Sequence, residues 1–252
     1  MYLTRSYLAP VQLVRKCLHL PISANQDEVY PITPEAFEDV IFIAIDFENG
    51  DKLTRSSKEQ IIAGFGVCIL DTRDLASSSS TNPLQTFNFV TGGNTPKSPR
   101  HYLFGRTQHI TVEDICSNLE RLIDRGRNLV FVGHHISQDL SPLNALGFDL
   151  DTGISAMLDT QRMAKKVLGS RVDALEYTLK GLLEKVGCPF RDLHVGGNDA
   201  HFTMRALLLL VAESYQGCNE TLPDDTKKRI EKLRLIGRAP ISSYRNAYSL
   251  CF

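Results

Sequence analysis

No stretch of this chain approaches the ~20 consecutive apolar residues that a membrane-spanning helix needs, so no membrane partner is expected. An excess of one charge is also lacking. The 28 Lys and Arg against 29 Asp and Glu leave a formal net charge of −1. No whole-chain field therefore draws the protein to nucleic acid or lipid, although a local basic groove stays open. The six cysteines, Cys17, Cys68, Cys116, Cys188, Cys218 and Cys251, include no Cys-x-x-Cys pair and no Cys/His set at zinc spacing. Scattered thiols of this kind are expected in a reducing, intracellular compartment, cytoplasm or nucleus. The opening MYLTRSYLAPVQLVRKCLHLP mixes apolar and basic residues and has no long apolar stretch leading to small residues, so no signal peptide is expected.

What the chain does have is 252 residues that are 42% hydrophobic and 23% charged, enough apolar surface for one large core rather than a disordered chain. Residues 1–38 read as an N-terminal extension whose last part, from Thr33 and Pro34, can start a short helix. Three strand-like segments follow, VIFIAI from Val40, KEQIIAGFGVCILDT and LQTFNFVT, at a spacing that suggests an antiparallel meander. The helix TVEDICSNLERLIDRG, capped by Thr111 and closed by Gly126, leads to NLVFVGHH, a fully apolar strand of the kind found in parallel sheets. Beyond it, SQDLSPLNALG starts a helix and MLDTQRMAKKVLG runs from a short extended piece into another. Three more helices are expected over LEYTLKGLLEKVGCP, NDAHFTMRALLLLVAESY and PDDTKKRIEKLRLIG. The Leu207–Leu210 run in the second of these reads as core. This order predicts an α/β fold, a mixed sheet of an antiparallel meander plus parallel strands flanked by helices. Residues 39–216 form the domain and 217–252 a C-terminal helical, basic extension. The loops at 71–83 and 91–101 are either substrate lids or insertions.

Asp46 and Glu48 end the first strand. Residues two apart in a strand share a face, so both carboxylates project together at the end of the sheet where ligands usually sit. Two such acids are either solvated where the strand enters a loop or separated by a cation, and Mg2+ is commonly held by one or two carboxylates. In GHHISQDL, Asp139 falls near a helix start, as a cap or as a third acid if the first and fourth strands are neighbours. In LHVGGNDA, Gly196 and Gly197 let the chain fold back so that His194 reaches the cleft of Asp199; Asn198 or Asp199 as a simple cap is the alternative.

Together the D-x-E strand end, the GH-x-x-x-x-D segment and the H-x-x-x-x-D-A helix start resemble the three motifs of the DEDDh family of 3′–5′ exonucleases. The resemblance spans roughly residues 40–215. Asp159 and Thr160 stand where that family often carries an Asp-Thr pair, and LEYTLKGLLEKVGCP resembles its leucine-rich helix. Within the family, GHHISQDL, LDTQRMAKKV and HVGGNDAHFTMRALLLL are most similar to a fungal branch of exonuclease-like proteins linked to messenger-RNA export. The resemblance implies a ribonuclease-H-like fold over 39–216 and two divalent ions, Mg2+ or Mn2+. It implies that Asp46 bridges the ions, Glu48 and Asp199 complete one ion's shell, Asp139 supports the other, and His194 is the general base. An imidazole, with its usual pKa near ~6.5, suits that part at neutral pH. Two positions depart from the family pattern: Asn49 stands where many members have Thr, and His135 where many have Asn.

The expected substrate is single-stranded nucleic acid, RNA in preference to DNA, with Phe47, Asn49, His135, Arg106, Arg162 and Lys165 as the residues touching it. Of these, Phe47 faces away from the two acids, which favours a place in the core. The HYLFGRTQH loop reads either as a stacking surface, through Tyr102 and Phe104 beside Arg106, or as a packed anchor. Two basic stretches, Arg162, Lys165, Lys166 and Arg171, and the run from Lys227 to Arg238, are each a phosphate track or a solvated helix face. The rivals to an exonuclease are a module that binds RNA or protein without cutting, and an endonuclease on the same fold.

Overall fold

The computed structural model describes residues 9–22, 39–54, 63–76, 83–92, 101–169, 178–216 and 222–241. The helix expected from Thr33, much of both expected loops, Arg171 and residues 175–177 lie outside these.

Among the described residues six strands form one sheet in the order β4-β3-β2-β1-β5-β6. They are β1 (Val40–Glu48), β2 (Gly64–Asp71), β3 (Leu84–Val90), β4 (Thr107–His109), β5 (Asn128–Gly133) and β6 (Ile154–Asp159). β1 to β3 are the expected antiparallel meander, and β4, β5 and β6 add on in parallel pairings. The helices are α1 (Pro10–Cys17), α2 (Thr72–Ala76), α3 (Asp114–Leu122), α4 (Ser137–Ala145), α5 (Thr160–Leu168), α6 (Leu179–Lys185), α7 (Gly196–Glu213) and α8 (Asp224–Gly237). The arrangement is a mixed α/β sheet flanked by helices, consistent with a ribonuclease-H-like fold.

Alternation along β1 separates two cores. Val40, Phe42 and Ala44 face a core built with α1, α5, α6, α7 and α8. Ile41, Ile43 and Ile45 face a second one built with α3 and α4. α7 is apolar on nearly every side and is buried from Gly196 to Ala212, as an all-round hydrophobic helix must be. Its one buried cation, Arg205, donates to Ala239 O (2.8 Å) and lies over the rings of Phe104 and Phe202. α1 belongs to the same core through Leu13, Val14 and Cys17, and Arg15 ties it to the end of α7 by donating from Nε to Ser214 Oγ (3.1 Å).

Several expectations need correction. β4 lay unseen inside the HYLFGRTQH loop, because three polar residues at a sheet edge carry no periodicity. Residues 72–76, expected to be loop, are helical. α3 starts at Asp114 and stops at Leu122, short of Gly126; Thr111 contributes a side-chain bond to Asp114 (2.9 Å). α1 went unrecognised, although Pro10 at its first position is a start signal.

The seat of α7 depends on Gly66. Asp46 of β1 is opposite Gly66 of β2, and a Cβ on Gly66 would fall 1.9 Å from the carbonyl carbon and oxygen of Gly196. Only a bare backbone lets the helix start rest on the sheet here. Gly66→Ala is therefore expected to cost about 2 kcal/mol or more by overpacking, read as a lower urea midpoint. Unchanged stability would mean that α7 is not seated on β2.

Candidate active site

The pairing of β1 opens a cleft. Its ladder with β2 runs to Glu48, but its ladder with β5 stops at Ala44. The last four residues of β1 thus have an unpaired edge, at the strand end where α/β sheets place ligands. Asp46 and Glu48 point to the face of α7. Asp139, the third residue of α4, arrives from the other face and accepts the Phe47 N–H at Oδ1 (2.9 Å), taking the place of the missing strand. It is not a helix cap.

α7 supplies the rest. Asp199, in its first turn, accepts the His194 N–H at Oδ2 (2.8 Å). His194 has a left-handed backbone (φ 66°), and its ring, 90% exposed, brings Nδ1 to 3.9 Å from Glu48 Oε1. Ligand atoms of Glu48, His194 and Asp199 lie within 4.8 Å of one another. Gly196 and Gly197 act through close approach, since both are helical and neither has positive φ. A Cβ on Gly196 would fall 3.2 Å from Asp46 O, so this turn abuts the tip of β1.

The electrostatics are those of crowded acids. Burial, then the charges of Asp199, Asp139 and Glu48, hold Asp46 well above the usual carboxylate range. Burial raises Asp139 to about 7, opposed by the Phe47 hydrogen bond and reinforced by Asp159 and Glu48. Burial raises Asp199 to about 8, with Glu48 and Asp139 adding to it. Asp46 is half-buried as a residue, yet its Oδ2, like Asp199 Oδ1, is shut off from solvent and accepts no hydrogen bond from the described residues. Orphaned carboxylate oxygens beside other carboxylates fit a hard divalent cation, or protons in its absence. Asp46, Glu48, Asp139 and Asp199 are thus residues able to hold such an ion.

The other expected residues divide. Asn49, in the turn after Glu48, and His135, in the turn before α4, are exposed and have positive φ (58° and 67°), a conformation Asn tolerates best. The His135 N–H donates to Asp159 Oδ1 (3.1 Å). Arg162, in the first turn of α5, faces solvent and pairs with Asp159 at 3.7 Å; Lys165 is exposed one turn on. Phe47 turns its ring to the second core and stacks on Phe65 (4.4 Å), so its backbone rather than its ring serves the cleft. Arg106 is exposed beside β4, three strands from β1 or ~14 Å at normal spacing. Tyr102 and Phe104 anchor their loop: Tyr102 donates to Thr86 O (2.8 Å) and Phe104 stacks on His201 (3.6 Å). In the basic stretch of α8, Arg229 pairs with Asp225 one turn back on the same helix, whereas Arg238, just past the helix end, reaches Glu213 at the end of α7 and Lys232 donates to Leu75 O (2.6 Å).

Asp159 is the residue whose part the sequence reading left unassigned. It caps α5 by accepting from Gln161 N and Arg162 N, while Thr160 donates to Gly133 O (3.1 Å), so the pair knits the ends of β5 and β6.

A family model described as DNA polymerase III subunit epsilon-like, C-terminal domain (DEDDh_C), matches residues 41–210. The chain belongs to this DEDDh exonuclease family. No curated protein matches it significantly. Membership supports a nuclease that handles nucleic acid and divalent metal, and all four acids and His194 fall within the matched span. Among the described residues no helix is long and apolar enough to cross a membrane.

Because Asp139 and Asp199 bind protons more tightly folded than unfolded, their contribution is complete near pH 4 and is lost as pH rises through about 7 and 8. The metal-free protein should therefore melt at lower temperature at pH 8.5 than at pH 6, by up to about 1.4 kcal/mol per pH unit for each extra proton held. Saturating Mn2+ should flatten that slope, since the cation replaces the protons. A melting temperature indifferent to pH and to Mn2+ would contradict this account of the cluster.

Proposed function

We propose that this protein is a metal-dependent 3′–5′ exonuclease acting on single-stranded nucleic acid, RNA in preference to DNA. The observation that carries the reading is the meeting of four acids and an exposed imidazole at the tip of β1, two of whose carboxylate oxygens have no hydrogen-bond partner among the described residues. Asp46, Glu48, Asp139 and Asp199 would hold two divalent ions, Mg2+ or Mn2+. When bound, the ions would neutralise the phosphate, lower the pKa of an attacking water and stabilise the leaving oxygen.

The chain's own residues do the positioning. Phe47 N–H orients the Asp139 carboxylate, and His194 N–H orients that of Asp199. With Nδ1 turned towards Glu48, His194 has Nε2 left to take the proton from water. Its exposure suits a base that meets solvent and substrate together. Arg162 and Lys165 lie on the helix that starts at the end of β6, where a backbone phosphate of the strand would pass. The preference for RNA rests on the likeness to exonuclease-like proteins linked to messenger-RNA export. We assign the catalytic unit to 39–216 and the protein to the cell interior.

End-labelled RNA and DNA strands of matched sequence, incubated with Mg2+ or Mn2+, test this. A ladder shortening from the 3′ end, faster on RNA, is expected. Retention without shortening or internal cuts would overturn the reading. Asp46→Ala should abolish shortening while raising the melting temperature of the metal-free protein, because it removes one of the repelling acids; a large fall would make Asp46 structural. His194→Ala should lower the rate by ~10²–10⁴ while sparing metal affinity, and an unchanged rate would exclude it as the base.

A further inference from the structure

Asn198 is fully buried in the first turn of α7, and its side-chain amide ties that turn to two other pieces of chain, 101–103 and Asp192. Its Oδ1 accepts the Leu103 N–H (3.0 Å), and its Nδ2 donates to His101 O (3.0 Å) and Asp192 O (2.7 Å). The orientation of the amide is forced, since the flipped form would set an oxygen against two carbonyls and an NH2 against an N–H. Asn198 is thus neither a cap nor a surface residue.

The geometry of the loop shows what this clamp holds. Asp192 and His194 both have left-handed backbones (φ 51° and 66°), conformations that cost a non-glycine residue free energy and persist only when surroundings impose them. The loop is pinned at two points by adjacent residues of α7. Asn198 takes the Asp192 carbonyl, and Asp199 takes the His194 N–H. From below, Asn88 of β3, also buried, accepts the Gly197 N–H at Oδ1 (2.9 Å) and donates to Thr107 Oγ1 (2.9 Å), fixing the helix start against the sheet. The His194 ring itself is 90% exposed, so no packing around the ring holds it in place. Its position is inherited from its backbone.

We propose that Asn198 is a positioning residue for His194: it imposes the strained 192–194 turn that directs the imidazole at the cleft. This rests on the reading of His194 as the base. A displacement of about 1 Å in such a group can cost ~10²-fold in rate. Asn198→Ala is accordingly expected to lower kcat by ~10²-fold with little change in KM and with Mn2+ affinity within about threefold of the parent by calorimetry.

A double-mutant comparison separates positioning from general damage. If Asn198 acts through the imidazole, His194→Ala/Asn198→Ala should be no more than about threefold slower than His194→Ala alone. A further ~10²-fold loss in the double variant would overturn the proposal. Should Asn198→Ala not fold, amide exchange of the unaltered protein decides the matter. The Leu103 N–H, which Asn198 accepts, and the His194 N–H should both be protected as strongly as the first turn of α7, and free exchange at Leu103 would show that the Asn198 clamp does not hold. The exchange result is independent of turnover, so absence of strand shortening by the parent would count against the exonuclease reading and leave the clamp to be judged separately.

Discussion

Repulsion among Asp46, Glu48, Asp139 and Asp199 is the force that the rest of this structure has to contain. Unit charges 4 Å apart oppose each other by about 4 kcal/mol at an effective dielectric of 20. Burial makes each of the three aspartates harder to ionise still. Such a cluster has no reason to assemble by itself. It exists because three elements with large apolar faces bring one or two acids each to a common point, and because the free energy of packing those faces exceeds the cost of the crowding. The protons or cations that relieve the strain are therefore part of the stability of the fold.

Two backbone features localise that crowding. β5 leaves β1 four residues before the end, which frees an edge for the Asp139 carboxylate to occupy. α7 lies so low on β2 that glycine meets glycine, which sets the first turn of the helix beside Asp46. Neither feature involves a charged residue. The acids are placed by where a strand stops and how near a helix can come, and side-chain amides at Asn88 and Asn198 then lock the remaining freedom.

Much of this was legible in the sequence because it is periodic. The alternation in β1, the meander and the unbroken apolar character of α7 all come from burial, and burial writes itself into composition. The D-x-E strand end was legible for the same reason, since charge at the end of a buried strand breaks a pattern. What the residues alone left undecided was set by contacts distant along the chain. Phe47 had both a core reading and a ligand reading, and the Phe65 ring beneath it on β2 settles it as core. Tyr102 and Phe104 suited either a stacking loop or a packed anchor, and it took the Tyr102 bond to Thr86 O and the packing of Phe104 against the first core to decide for the anchor. The glycines before Asp199 suggested flexibility, whereas the structure uses their lack of side chain to permit contact. In the basic run of α8, the pairing of Arg229 with Asp225 joins residues of one helix, while that of Arg238 with Glu213 joins the end of the run to α7, a contact no sequence pattern announces. Asp159 carries no periodic signal, because a cap is local and its effect on Asp139 is spatial.

The burial of α7 between the sheet and the outer helices has a consequence for the order of assembly. This helix is the ceiling of the first core, yet it begins at residue 196, after every strand of the sheet has been made. A chain emerging from the ribosome would hold β1, β2, β5 and β6 with their inner face bare until that late segment arrives. Such long-range closure slows folding and leaves apolar strands open to wrong partners in the interval. Biogenesis, more than the finished molecule, is where this architecture is vulnerable.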